Sequence, residues 1–148
     1  MANPWRYDGP KVTVDSLIVR DDRLLLIERR FPPPGWALPG GFVDKDETVE
    51  QAVCRETQEE TGLVVTRLRQ LHCYSDPRRD PRQHTAGVVF EVETRGEPTA
   101  GDDAGACRWF PLDQLPPLAF DHDAIVADFR SRRYPGGAFE NAPLPRSS

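Results

Sequence analysis

No wholly apolar run in this 148-residue chain is longer than Leu-Leu-Leu-Ile at 24–27. A membrane-spanning helix needs about 20 apolar residues, so none is expected. The N-terminus lacks a basic stretch followed by an apolar one, so no secretory leader is read there. Cysteine is scarce: Cys54, Cys73 and Cys107 are odd in number and lack metal-site spacing, which argues against zinc and fits reduced thiols in a cytoplasmic protein. Positive charge is not in excess either. The formal net charge is −5 and the pI is about 5.2, unlike the basic surface of a general nucleic-acid coat protein. There is no internal repeat, and no low-complexity segment beyond the prolines. The expectation is a soluble cytoplasmic protein with neither nucleic acid nor membrane as partner. A chain of this length suits one domain, burying roughly 68–70% of its unfolded surface.

Strand and helix patterns alternate. Residues 11–19 and 23–29 are β-rich and separated by Arg20-Asp21-Asp22, which reads as a hairpin with a short turn. Residues 31–35, with three consecutive prolines, form a stiff loop before Trp36-Ala37-Leu38, because proline excludes helix and ladder donors. A helix is predicted over about residues 48–61, strands over 64–74, 86–94 and 106–110, and a second helix after Asp121, where Ile125, Val126 and Phe129 mark an apolar face. This alternation implies an α/β fold, an α/β/α sandwich around a mixed β-sheet. The single domain is read as residues 1–133, and residues 134–148, rich in glycine, proline and serine, as an extended C-terminal tail.

The most informative segment is residues 41–63, Gly-Phe-Val-Asp-Lys-Asp-Glu-Thr-Val-Glu-Gln-Ala-Val-Cys-Arg-Glu-Thr-Gln-Glu-Glu-Thr-Gly-Leu. Side chains three and four apart share a helix face, so Glu56, Glu59 and Glu60 project together. A solvated acidic face is one reading of that cluster, but Val49, Val53 and Thr57 lie next to it as a stripe for the core. Mg²⁺ prefers one or two carboxylates, waters and substrate phosphate oxygens, so the cluster reads as half of a metal site that the substrate completes. Gly62 ends the helix as a C-cap would.

This segment resembles the Nudix box, the signature of enzymes that hydrolyse a nucleoside diphosphate linked to another group. Gly41, Glu47, Arg55, Glu56, Glu59, Glu60, Gly62 and Leu63 occupy its fixed positions, and only Thr57 departs, standing where a larger apolar residue is usual. The resemblance implies a Nudix-type sandwich, a Mg²⁺ cofactor with Mn²⁺ as an alternative, and Glu56, Glu59, Glu60 and the Gly40 carbonyl as metal ligands. It also implies that Arg55 pairs with Glu47 to hold the helix. An exposed Arg55 paired with Glu59 is the competing reading, worth only about 0.3–0.5 kcal/mol.

A narrower resemblance, to ADP-ribose pyrophosphatases, rests on residues 74–85, Tyr-Ser-Asp-Pro-Arg-Arg-Asp-Pro-Arg-Gln-His-Thr, on Thr13-Val14-Asp15, on residues 36–44 and on Leu118-Ala119-Phe120-Asp121-His122. It covers residues 3 to about 129. Arg78, Arg79 and Arg82 would offer guanidinium forks to the diphosphate, though a solvated loop is at least as good a reading for any single one. His84 and Trp36 complete the substrate-binding candidates, each equally ordinary as a structural residue. For the general base, Glu59 on the helix competes with Asp103 in the loop 99–105, with Asp102 behind them.

The expected reaction is metal-dependent hydrolysis of ADP-ribose to AMP and ribose 5-phosphate. Rivals are hydrolysis of another nucleotide sugar or an oxidised nucleoside triphosphate, and a non-catalytic Nudix-fold sensor of ADP-ribose. Such regulators normally add a DNA-binding helical domain, for which about twenty residues after the second helix are too few. A homodimer is left open.

Overall fold

The computed structural model describes residues 4–101 and 104–134, with Ala104 described for its backbone alone. Asp102, Asp103 and most of the expected tail lie outside the described residues. The chain runs β1 (Lys11–Leu17), β2 (Val19–Arg20), β3 (Arg23–Arg29), β4 (Gly35–Ala37), β5 (Gly40–Phe42), α1 (Val49–Thr61), β6 (Val64–Tyr74), β7 (Thr85–Arg95), β8 (Ala104–Pro111) and α2 (His122–Ser131).

Among the described residues the strands form two four-stranded sheets. The first, in the order β5-β1-β7-β6, is mixed: β1 runs parallel to β7 and antiparallel to β5, and β6 pairs antiparallel with β7. The second is antiparallel, with β3 paired to β2, β4 and β8. Here the structure corrects the expected hairpin. Only Val19–Arg20 turns back on Arg23 and Leu24, over Asp21 and Asp22, both at positive φ (52° and 58°) as a two-residue primed turn requires. The residues before Ile18 leave for the other sheet. The reason is burial: Val14, Asp15, Ser16 and Leu17 are buried on both faces, which suits a central strand beside a parallel neighbour better than one arm of a hairpin.

Helix α1 starts where its sequence says it should. The Thr48 hydroxyl accepts from the Gln51 N–H and the Gln51 side chain accepts from the Thr48 N–H, a reciprocal capping box. Gly62, at φ 71°, closes it in the left-handed conformation. The helix buries Ala52 and Val53 against Val14, Ile18, Leu25, Leu63 and Phe90. Thr57, the departure from the family pattern, is fully buried and shares a 2.8 Å hydrogen bond with Ser16 of β1, so a polar pair replaces an apolar contact. On the other side, α2 packs Ile125, Val126 and Phe129 against Leu17, Leu24, Leu26 and Val89. Helices thus cover the strands from two sides, the α/β/α layering expected, and the cavity opens where β1, β5 and α1 meet.

Candidate active site

The cavity has a volume of about 390 Å³. Its acids are Asp15, Asp44, Glu56, Glu60 and Asp80, its cations Arg29, Arg79 and Arg82, and its aromatic walls Phe31, Phe42 and Phe120.

Backbone approach decides where the α1 acids sit. A β-carbon on Gly41 would stand 2.5 Å from Glu56 Oε1, and one on Gly40 would overlap the Val14 carbonyl and stand 2.5 Å from Asp15 Oδ1. Only glycine lets β5 lie this close to both elements. The Gly40 N–H then donates to Glu60 Oε2 at 2.8 Å. Glu56 and Glu60, one helical turn apart, both face the cavity.

Glu59 does not join them. Its side chain is 59% exposed and meets Arg55 Nη1 at 3.2 Å instead. Among the described residues no three His, Cys, Asp or Glu side chains are gathered to hold a metal. The shared face expected for three glutamates is therefore split, because successive side chains turn by 100° and Arg55 draws Glu59 to its own side. Two half-buried carboxylates beside the Gly40 turn still suit a hard cation whose remaining positions go to water and phosphate oxygen. Glu56 and Glu60 fit that group, and Glu60, which among the described residues has no cation in an ion pair, is the stronger observation.

Arg55 is the brace. Its Nε and Nη2 take both oxygens of Glu47 at 2.7 and 2.9 Å, Nη1 reaches Glu56 at 2.8 Å, and Nη2 also donates to the Phe42 carbonyl at 3.1 Å. The hydrogen bond from Arg55 pushes Glu47 down to about 2. The competing pairing with Glu59 is present as well, so Arg55 serves both.

Beneath the cavity lies a buried network that the sequence did not announce. Arg79, 5% exposed, donates Nε and Nη2 to the two oxygens of Asp121 at 2.9 Å each and Nη1 to Thr85 at 2.8 Å. Asp15 Oδ2 is 3.9 Å from Arg79. The Leu38 N–H donates to His122 Nδ1 at 3.0 Å, so the imidazole is neutral with its proton on Nε2, facing Asp15 Oδ1 at 3.5 Å. A charged residue in the β-rich run 11–19 was the readable signal for Asp15. Asp80, Phe120 and His122 lay in segments that carried the narrower resemblance but were given no role there, and for Arg29 no local signal existed.

The loop arginines divide by a repeated sequence. In Asp76-Pro77-Arg78 and again in Asp80-Pro81-Arg82, the aspartate accepts both the backbone N–H and the guanidinium of the arginine two residues on. Arg78 is thereby closed on Asp76, 90% exposed and outside the cavity lining. Arg82 lines the cavity, its guanidinium 5.4 Å from the Phe42 ring and 5.3 Å from the Phe120 ring. Arg79 also lines it, though its fork is committed to Asp121. His84 is held at 2.9 Å by the Ser75 carbonyl, and Trp36 packs edge-on to Phe110 at 4.8 Å; neither lines the cavity, since both are held by loop and core contacts.

Burial pushes Asp15 up from 3.8 to about 7 and Glu60 up from 4.5 to about 8, and pushes His122 down from 6.5 to about 3. The two acids contribute stability that is present below their unfolded values and lost as pH rises through the folded ones. The neutral imidazole contributes stability present above 6.5 and lost on acidification. Between pH 6.5 and 8 the loss from the two acids outweighs the small gain left from the imidazole, whose unfolded form is half protonated at 6.5. Metal-free protein is therefore expected to melt at a falling temperature across pH 6.5–8, and saturating Mg²⁺ to flatten the slope. Thermal melts with chelator and with metal test this; a chelated protein whose melting point rises over that window contradicts it.

A sequence model of the NUDIX domain matches residues 9–129. The ADP-ribose pyrophosphatase of Methanocaldococcus jannaschii is 48% identical over 126 residues, covering 83% of this chain and 75% of that protein. The NUDIX domain of Shewanella oneidensis NrtR, solved in complex with ADP ribose, is 29% identical with a TM-score of 0.79, over 88% of this chain and 93% of that one. A Francisella tularensis bifunctional NMN adenylyltransferase/ADP ribose pyrophosphatase, solved with AMP and a Mn ion, is 29% identical with a TM-score of 0.73, over 85% of this chain and 42% of that one. The chain belongs to the NUDIX family and is a Nudix hydrolase.

Proposed function

We propose that this protein hydrolyses the diphosphate linkage of ADP-ribose to AMP and ribose 5-phosphate with Mg²⁺ as its cofactor. The observation that carries the reading is one cavity lined by two half-buried glutamates, Glu56 and Glu60, and by the arginines Arg29, Arg79 and Arg82. The 48% identity to an ADP-ribose pyrophosphatase supports the substrate.

Glu56 and Glu60, with the Gly40 turn, would hold the cation. When bound, the metal supplies Lewis-acid polarisation of a phosphoryl oxygen and a more acidic water. Arg55 keeps Glu56 in place through Glu47. Arg82 presents positive charge to the diphosphate from the aromatic wall. A carboxylate within reach of the attacking water takes its proton. Glu59 and Asp103 are the rivals for that role: Glu59 sits outside the cavity lining against Arg55, and Asp103 lies outside the described residues. The loop leading to Asp103 is fastened to α1, the Gly101 N–H donating to the Glu60 carbonyl at 3.1 Å.

Purified protein with Mg²⁺ should convert ADP-ribose to AMP and ribose 5-phosphate, resolved by chromatography, and chelation should abolish the conversion. Faster turnover of nucleoside triphosphates would refute the substrate. Binding of ADP-ribose without turnover under any divalent metal would identify a sensor instead.

A further inference from the structure

We propose that Arg29 is a substrate-binding residue, forming with Arg82 a two-guanidinium clamp for the diphosphate across the ring of Phe120. The inference rests on the substrate carrying a diphosphate and does not depend on which groups flank it.

Arg29 ends β3 at a register shift between Glu28 and Arg29, the kind of irregularity that re-aims a side chain. Its Nε donates to the Pro33 carbonyl at 2.7 Å and its Nη2 approaches the Pro32 carbonyl at 3.5 Å. The three-proline loop thus acts as a mount, its stiff backbone presenting carbonyls that fix the guanidinium. The group then lies over Phe120, 4.8 Å from the ring centroid, while Arg82 lies 5.3 Å from the same ring. Phe120 is itself held at a left-handed φ of 56°, a costly conformation for a bulky residue and one found at ligand sites.

The two forks are anchored alike. Arg82 commits Nε and Nη2 to Asp80, Arg29 commits Nε and Nη2 to proline carbonyls, and neither Nη1 has a hydrogen-bond partner among the described residues. Each Nη1 keeps two N–H donors. Arg82 is ion-paired with Asp80 at 2.8 Å, yet its charge still acts on Arg29. Among the described residues Arg29 has no carboxylate in an ion pair, and burial and then the charge of Arg82 weaken its hold on its proton. Like charges held near one aromatic ring by separate elements oppose each other until an anion lies between them. Phosphate oxygens are matched to guanidinium geometry, and Glu56 and Glu60 share the same cavity, so a metal-bound diphosphate can reach both walls.

Calorimetric binding of inorganic pyrophosphate at saturating Mg²⁺, alongside steady-state turnover of ADP-ribose, tests the clamp. Arg29→Met should lose about 10- to 100-fold in pyrophosphate affinity, the range of a charge-assisted hydrogen bond, and raise KM for ADP-ribose more than it lowers kcat. Arg29→Lys, which keeps charge and loses the fork, should fall between. Arg95→Met, an exposed arginine of β7, controls for net charge and should bind as wild type does. Arg29→Met should not melt lower by more than a few degrees, since removing one of two opposed cations relieves repulsion; if it misfolds, the lysine variant, which keeps the charge, decides. Wild-type protein that binds no pyrophosphate, or Arg29 variants that bind it with wild-type affinity, would overturn the proposal. Loss of pyrophosphate binding in Arg29→Met together with no turnover of ADP-ribose in wild type would uphold the clamp and refute the substrate, so the two readings fail separately.

Discussion

Glu60→Gln is expected to lower the turnover of the Mg²⁺-loaded enzyme by about 10³-fold or more while leaving the fold as stable or more stable. A Lewis-acid cation supplies several kcal/mol of transition-state stabilisation, and each ~1.36 kcal/mol is tenfold in rate. Glutamine keeps the shape of the side chain and an oxygen for the Gly40 N–H, which now bonds Glu60 Oε2 at 2.8 Å. What it removes is the charge. At this half-buried position desolvation raises the carboxyl to about 8, so a permanently neutral amide removes the cost of desolvating or protonating it in the metal-free protein. A collapse of folding would instead lower activity and melting temperature together. Glu56→Gln should lose rate as well, but it also gives up a 2.8 Å ion pair with Arg55 and has less stability to gain. The measurements are kcat, the Mg²⁺ concentration dependence and the metal-free melting point. A Glu60→Gln enzyme with unchanged rate and metal dependence would remove Glu60 from the site.

Helix α1 was legible in the sequence almost to the residue because its ends are local chemistry: Thr48 and Gln51 form the box and Gly62 the cap, all within the segment itself. The pairing of β1 was not. Its partners, residues 40–42 and 85–91, lie far along the chain, and short β-rich runs side by side look like a hairpin whichever sheet they join. The site followed the same division. Glu56 and Glu60, spaced by one turn, face the cavity as their spacing implies, whereas Glu59 is turned aside by Arg55. Arg78 and Arg82 occupy identical Asp-Pro-Arg settings, so sequence alone does not separate them. What distinguishes Arg82 is Phe42 and Phe120, brought beneath it by β5 and by the turn before α2.

Arg79 has no aspartate two residues before it to close on, and its partner Asp121 is 42 residues away. Replacing Arg79 by methionine is expected to destabilise the protein by about 3–5 kcal/mol, since removing one partner of a buried pair leaves the other charge uncompensated. For a chain of this size that is a fall of roughly 6–20 °C in melting temperature, at about 2–4 °C per kcal/mol. Asp121, at 23% side-chain exposure, keeps some solvent and places the loss toward the lower end; Asp15, at 10%, also loses its nearest cation. Lysine should not restore the loss, because a single ammonium cannot take both Asp121 oxygens and the Thr85 hydroxyl in the fork geometry seen here. Adding Asp121→Asn to Arg79→Met should cost less than the sum of the two single changes, because the second substitution removes the charge that the first left stranded. Thermal unfolding of the single and double variants measures that coupling. Additive losses, or an Arg79→Met protein that melts within a degree or two of wild type, would show that Arg79 does not hold the loop of residues 75–84 to the start of α2. A coupled loss would place the same pair at the root of the cavity wall that carries Arg82 and Phe120.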